Sequence, residues 1–403
     1  LKPRGAPRLE HAGPRSSLGP GGVFFCCGLR RHFSAMPADA SKVKEAAAKR
    51  AKKPKNTTLQ YYIWIGGAVA ALVAAILLLI LNPDKGPFGV PVNDDGLITH
   101  VNRNAKTWKA DKSSMFTGWS LGDAKNLEGI SVSGQSQPCV VPDTQVPASF
   151  DAREKWPQCF NQPVYSMGNC TASWAIAAAS ALSNRFCISS PSEYADLMLS
   201  PQQLLSCDSA NRACSGGDVD AVWGYIEREG LVNESCFPYQ GDGTVSCQSK
   251  CSDGASLRAA SHCHLNNEAA IRKEVFLNGP VSAPIFLMDD FLVYSGGLYQ
   301  EMPTATQLSA ANRQRLIHMV KIVGWGSMEG KGYWLIENSW GPDWGEGGYA
   351  KILSGGDPQA REGIIVETYV LAGTPASGKL GDDADDDIDL EDIDLDLDDE
   401  SDE

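Results

Sequence analysis

The stretch at 167–182 limits what this chain can fold into more than any other. It reads Met-Gly-Asn-Cys-Thr-Ala-Ser-Trp and runs directly into an unbroken Ala-rich segment from Trp174 to Leu182. Gly168 supplies a turn, Cys170 a thiol, and the Ala-rich run a helix. Ser173 therefore falls at the N-terminal end of that helix, where unpaired backbone N–H groups and the helix dipole favour negative charge. A thiol at such a place would have its pKa lowered into a useful range. A serine hydroxyl gains far less, because its pKa starts many units higher.

Two distant segments complete the pattern. His318 opens His-Met-Val-Lys-Ile-Val-Gly-Trp-Gly, and Asn338 lies within Glu-Asn-Ser-Trp-Gly-Pro-Asp-Trp-Gly. In this order the three segments resemble the nucleophile loop, base and orienting amide of papain-like cysteine peptidases. The run beginning Val146-Pro-Ala-Ser-Phe-Asp-Ala-Arg and ending at Cys159 resembles the mature start of the cathepsin B branch, and the likeness extends over residues 95–372. The resemblance implies an α+β, papain-like two-domain fold, an α-helical half and a β-rich half with a cleft between them.

The catalytic set is degenerate. By resemblance His318 is the base and Asn338 its orienter, but Ser173 stands where the family has its cysteine. Met167 replaces the glutamine whose N–H would stabilise an oxyanion, a donor whose loss costs about 10²–10³ in rate in a well-studied peptidase. Thr171 replaces a glycine and sets a β-branched side chain at the cleft. A serine at the nucleophile position is also a mark of the tubulointerstitial nephritis antigen group of cathepsin B-like proteins, which the chain resembles in that respect. The occluding loop with paired histidines that cathepsin B carries between the counterparts of Cys236 and Cys251 is reduced here to a short segment without histidine. Carboxydipeptidase activity is therefore not expected.

Binding features survive better. Gly216 and Gly217 resemble the strip on which substrate backbone lies, where glycine permits close approach. Trp340 resembles the wall of the catalytic asparagine. An ungapped match to the base of the main specificity pocket puts Tyr369 there, with Glu367 two residues earlier. His262 and His264 read as loop or surface residues, and Asn233-Glu-Ser as a glycan acceptor. The resemblance pairs Cys159–Cys187, Cys170–Cys214, Cys207–Cys247 and Cys236–Cys251. Cys139 and Cys263 have no counterpart in that scheme and are expected to bond to each other, tying the prosegment to the domain.

Composition adds compartment and topology. Fifteen of the 49 acidic residues lie in 382–403, so the net charge of −14 belongs to a tail and the rest is near neutral. Ten of the twelve cysteines fall between Cys139 and Cys263, which fits an oxidising compartment. No His/Cys cluster has zinc spacing, so no metal or other cofactor is expected. Residues 61–81, from Tyr61 to Leu81, are uncharged and long enough to cross a bilayer as a helix. Lys42, Lys44, Lys49, Arg50, Lys52, Lys53 and Lys55 precede them, which predicts a type II single-pass protein. The C-terminal part would then face a secretory or endolysosomal lumen or the cell exterior.

The expected organisation is a basic N-terminus at 1–60, a membrane helix at 61–81, a stalk and cathepsin B-like prosegment at 82–147, the papain-like domain at 148–372, and a flexible linker with acidic tail at 373–403. Residues 1–35 read as a targeting extension or as sequence upstream of a start at Met36, the second being favoured. The tail reads as solubilising, or as a binder of a basic partner or of Ca²⁺, without an EF-hand loop. The leading functional expectation is a membrane-anchored, catalytically inactive homologue that binds peptide or protein in its cleft. An active peptidase using Ser173 with His318, and a rigid subunit of a membrane assembly, are the rivals. No nucleic-acid partner is expected.

Overall fold

The structure is a computed structural model that describes residues 62, 64–69, 72, 89–127, 129–251, 256–303, 317–355, 365 and 367–377. The chain falls into two compact units, Leu1–Ala74 and Ala75–Glu403. In the first, residues 62, 64–69 and 72 are helical, with Tyr62, Trp64, Val69 and Leu72 exposed. Among the described residues no helix is long and apolar enough to cross a membrane. Residues 1–35, the basic run at 42–55, most of 61–81 and the acidic tail lie outside the described residues.

In the second unit the expected prosegment is built into the fold. Helix α1 (Asp95–Asn104) starts where Asp94 accepts the Leu97 N–H at 2.8 Å, an N-cap that satisfies one of the free donors of the first turn. Strand β1 (Trp108–Ala110) follows, with Trp108 buried against Tyr294 and Tyr299. Apart from single-turn helices, the elements that follow are β2 (Phe150–Asp151), α2 (Ser173–Ser189), α3 (Pro201–Cys207), α4 (Val219–Glu229), β3 (Ala259–Leu265), α5 (Glu268–Asn278), β4 (Val281–Phe286), β5 (Tyr294–Tyr299), β6 (Ile317–Met328), β7 (Lys331–Glu337), β8 (Tyr349–Leu353) and β9 (Val370–Pro375). The strands form one sheet in the order β1-β5-β8-β7-β6-β4-β9-β3, with β2 also paired to β6. Every pairing is antiparallel except β5 with β8.

Helix α2 is buried on nearly every side, which is why alanine dominates its first half. It continues to Ser189, beyond the apolar run that marks it in the sequence, because each polar residue in its second half finds a partner. Ser183 donates to the Ala179 carbonyl at 2.7 Å, and Asn184 to that of Cys159 at 2.5 Å. Arg185 pairs with Glu274 of α5. The helix is also tied to the sheet: Lys321 of β6, almost fully buried, reaches Asn184 at 2.7 Å and Glu337 of β7 at 2.9 Å.

Among the described residues five disulfides are formed: Cys139–Cys263, Cys159–Cys187, Cys170–Cys214, Cys207–Cys247 and Cys236–Cys251. Four staple the loops around α2, α3 and the shortened segment after Cys236. The fifth joins the prosegment to β3.

Candidate active site

Three elements deliver the catalytic set. Ser173 is the first residue of α2, and the residue before it, Ala172, offers no side-chain cap, so the positive end of the helix is open at the hydroxyl. His318 is the second residue of β6, and Asn338 directly follows the end of β7, the strand paired to β6. The antiparallel register thus brings base and amide together: His318 Nε2 lies 2.8 Å from Asn338 Oδ1. Trp340 packs against the imidazole with ring centroids 4.9 Å apart. All four side chains are buried.

Ser173 Oγ accepts the Met319 backbone N–H at 3.2 Å. The other ring nitrogen of His318, Nδ1, has no partner in hydrogen-bond geometry, although the Leu127 backbone lies close enough to favour its protonated form. Complete burial dominates and holds the His318 pKa down to about 4, against the opposing pulls of Asn338 and the Leu127 backbone. Met167 lies beside the asparagine loop: its backbone N–H donates to the Ser339 carbonyl at 2.8 Å and its sulfur accepts from the Ser339 hydroxyl at 3.4 Å. A thioether has no proton to offer an oxyanion.

The prosegment covers this site and continues across the expected binding strip. Leu127 is buried beside His318, and the Gly129 carbonyl accepts from Arg212 at 2.9 Å. Gly129 lies directly on Gly216, whose φ is +101°, and a Cβ on Gly216 would run into the Gly129 carbonyl. Ser131 donates its N–H to the Gly217 carbonyl at 2.9 Å and accepts the Val219 N–H at 3.0 Å. Gly216 and Gly217, the strip expected to carry substrate backbone, thus lie against a stretch of this same chain.

Beyond the glycines lies a polar corner that the sequence did not reveal. Asp220, at the start of α4, is buried and accepts from Ser133 Oγ at 2.8 Å, Gly134 N at 2.9 Å and Ser136 N at 3.2 Å. Tyr369 OH donates to the same carboxylate at 2.5 Å and sits 2.7 Å from Ser136 Oγ. Burial pushes the Asp220 pKa up, but the donors from Tyr369, Ser133, Ser136 and Gln135 outweigh it and hold the carboxyl below its ordinary value. Asp218, the cap of α4, adds bonds from Ser131 Oγ at 3.1 Å and Ser133 Oγ at 2.9 Å. The acid at this end of the cleft is thus supplied by α4, while the position matched to the pocket base carries Tyr369. A hint was present in the sequence as an Asp-x-Asp pair following the two glycines.

Glu367 is not part of this corner: it accepts from Trp334 Nε1 at 2.7 Å and Gly355 N at 3.0 Å. The loop or surface reading of His262 and His264 is corrected. Both lie on β3 and are half-buried because the strand pairs with β9. His264 stacks on Tyr369 with centroids 4.9 Å apart and contacts Ser136, and His262 pairs with Glu227 at 2.6 Å. Asn233 is exposed. Among the described residues no group of His, Cys, Asp and Glu side chains could hold a metal ion.

Comparison with known proteins agrees with this geometry. The pattern of the papain family cysteine proteases matches residues 146–370. Human tubulointerstitial nephritis antigen-like is 31% identical over 325 residues, covering 71% of this chain and 69% of its own. Cathepsin B-like CP3 of Giardia intestinalis is 32% identical over 280 residues, covering 66% of this chain and 90% of its own. Among solved structures, procathepsin B S9 from Trypanosoma congolense matches with a TM-score of 0.62 at 28% identity, over 72% of this chain and 100% of its own. With the helix-borne Ser173, the His318–Asn338 pair and the covered glycine strip in place, the chain belongs to the papain family of cysteine proteases, as a cathepsin B-like member.

Proposed function

We propose that this protein is a membrane-anchored, catalytically inactive cathepsin B homologue whose cleft binds a peptide or protein segment without cutting it. The observation that carries this reading is the pairing of losses at one point. Ser173 supplies a hydroxyl bonded to the Met319 N–H instead of a thiolate bonded to the base, and Met167 supplies a thioether instead of an oxyanion donor. The base is also poorly matched to the task in the covered state. A histidine with a pKa of about 4 is a weak acceptor for the proton of an alcohol. The binding surface, by contrast, is complete enough to hold an extended chain along Gly216, Gly217 and the Asp220 corner.

The rival, hydrolysis with Ser173 as nucleophile, draws support from the intact His318–Asn338 contact, and one experiment separates the two. After the prosegment is removed, the protein is treated with a fluorophosphonate and with a thiol-directed chloromethyl ketone. The expected result is no label at Ser173, while the Ser173→Cys, Met167→Gln variant reacts with the ketone at position 173. Stoichiometric acylation of Ser173 followed by turnover of a peptide would sink the proposal.

The anchor in this reading is the apolar stretch at 61–81, supported by its length, its basic flank and the exposed apolar side chains of its described helical residues.

A further inference from the structure

The segment that fills the cleft is fixed at both ends. Upstream, β1 is an edge strand of the sheet, and Trp108 donates its indole N–H to the Gln300 carbonyl at 2.9 Å. Downstream, Cys139 is bonded to Cys263, and two backbone bonds flank that bridge: Cys139 N to His264 O at 2.8 Å and His264 N to Gln137 O at 2.9 Å. The covalent anchor comes before the stretch that a processing protease would reach. Residues 140–145 form neither helix nor strand, Val140 is 99% exposed, and the Asp143 carboxylate stands fully in solvent beside Lys273. Val141 touches the core within this stretch, and from Val146 the chain stays with it, the Pro147 carbonyl accepting from Trp325 at 3.2 Å.

We propose that access to the cleft is governed by two covalent events. A cut within 140–145 leaves segment 127–139 seated, and the cleft opens to another chain only when the Cys139–Cys263 bond is also reduced. Neither event suffices alone. After a cut, the disulfide keeps the segment at high effective concentration over Gly216, Gly217 and Asp220. After reduction, the backbone through 140–145 does the same; once both are broken, the upstream tie ends at buried Leu127 and the stretch beyond Gly129 keeps only its hydrogen bonds to Gly217, Val219 and Asp220. The reductant is a dithiol. One of its thiolates attacks a sulfur of the bridge, forming a mixed disulfide and releasing one cysteine thiolate. Its second thiolate then displaces the other cysteine, so that Cys139 and Cys263 end as thiols and the reductant as a disulfide. The proposal rests on the peptide-binding reading only for what enters the cleft afterwards.

The test uses the full chain with residues 140–145 replaced by the recognition sequence of a site-specific endoprotease, with and without the pair Cys139→Ser and Cys263→Ser. Each form is examined cut and uncut. Two readouts are taken: hydrogen exchange at the Ser131 and Val219 amides, and binding of a fluorescein-labelled peptide of sequence 127–137. Three of the four forms are expected to keep both amides protected and to bind no peptide. The cut serine form alone is expected to exchange at least tenfold faster. The uncut serine form, if protected, shows that the fold survives loss of the bond. Peptide binding or fast exchange in the cut form with the bridge intact overturns the proposal. So does protection that persists after both links are broken, or free thiols at Cys139 and Cys263 in peptide mapping of the native chain. Fast exchange confined to the doubly broken form without peptide binding leaves the two-event control standing and removes the peptide-binding reading instead.

Discussion

At His318 burial sets the charge of one ring. Its pKa is held near 4 chiefly because the ring is fully buried, whereas in the unfolded chain it returns to the ordinary histidine value. The folded state therefore binds fewer protons than the unfolded one below about pH 6.5, and stability is lost as pH falls from there towards 4. From this group the loss amounts to about 2 kcal/mol by pH 5. Asp290, raised to about 6 by burial, acts in the opposite direction over the same range, so the net profile conceals both. The expected outcome is that the stability difference between wild type and His318→Asn, from urea unfolding, shifts by about 2 kcal/mol between pH 7 and pH 5. A constant difference would show that the ring is not buried in solution. The identity of His318, Asn338 and Ser173 as a set was legible in the sequence, because each sits in a local motif. Asp220 was not, because its role depends on Ser133, Ser136 and Tyr369, and the last of these is 149 positions away along the chain.

Among the elements, the junction of α2 with β6 and β7 matters most, since it sets Ser173 against His318. Lys321 is the tie, a buried ammonium paired with Glu337 and bonded to Asn184. Removing one partner of such a pair leaves an uncompensated charge, at a cost of about 3–5 kcal/mol. Lys321→Met is expected to lose about that much in urea unfolding, and Lys321→Met with Glu337→Gln appreciably less. Equal losses in the single and double variants would mean that the pair carries no coupling. The sequence marked the start of α2 but not its length. Its apolar signal ends at Leu182, and the polar half that follows is held in the interior by Cys159, Glu274 and Lys321, none of them adjacent in sequence.

For the molecule as a whole, four disulfides within the papain-like domain and a fifth tying Cys139 to it support the proposal that this domain lies in an oxidising compartment. Asn233, exposed on the surface within its Asn-Glu-Ser acceptor, offers a reporter of that orientation. In microsomes the C-terminal unit is expected to resist added protease, to remain with the membrane through alkaline extraction, and to carry a glycan whose mass shift disappears with Asn233→Gln. Digestion of the domain in intact microsomes would refute the proposed topology.

The sequence by itself determined the family and singled out Ser173, Met167, His318 and Asn338 as the candidate positions, because short motifs carry that information locally. With the resemblance in hand it also gave the partners of eight cysteines and left Cys139 and Cys263 for each other, as the structure has them. Only the tertiary structure decided which residues of the expected prosegment lie on the glycines, which carboxylate meets them, and how a buried lysine joins helix to sheet. Those contacts join residues far apart in the chain, and hydrogen bonding, burial and charge act on distance in space, which the fold alone sets.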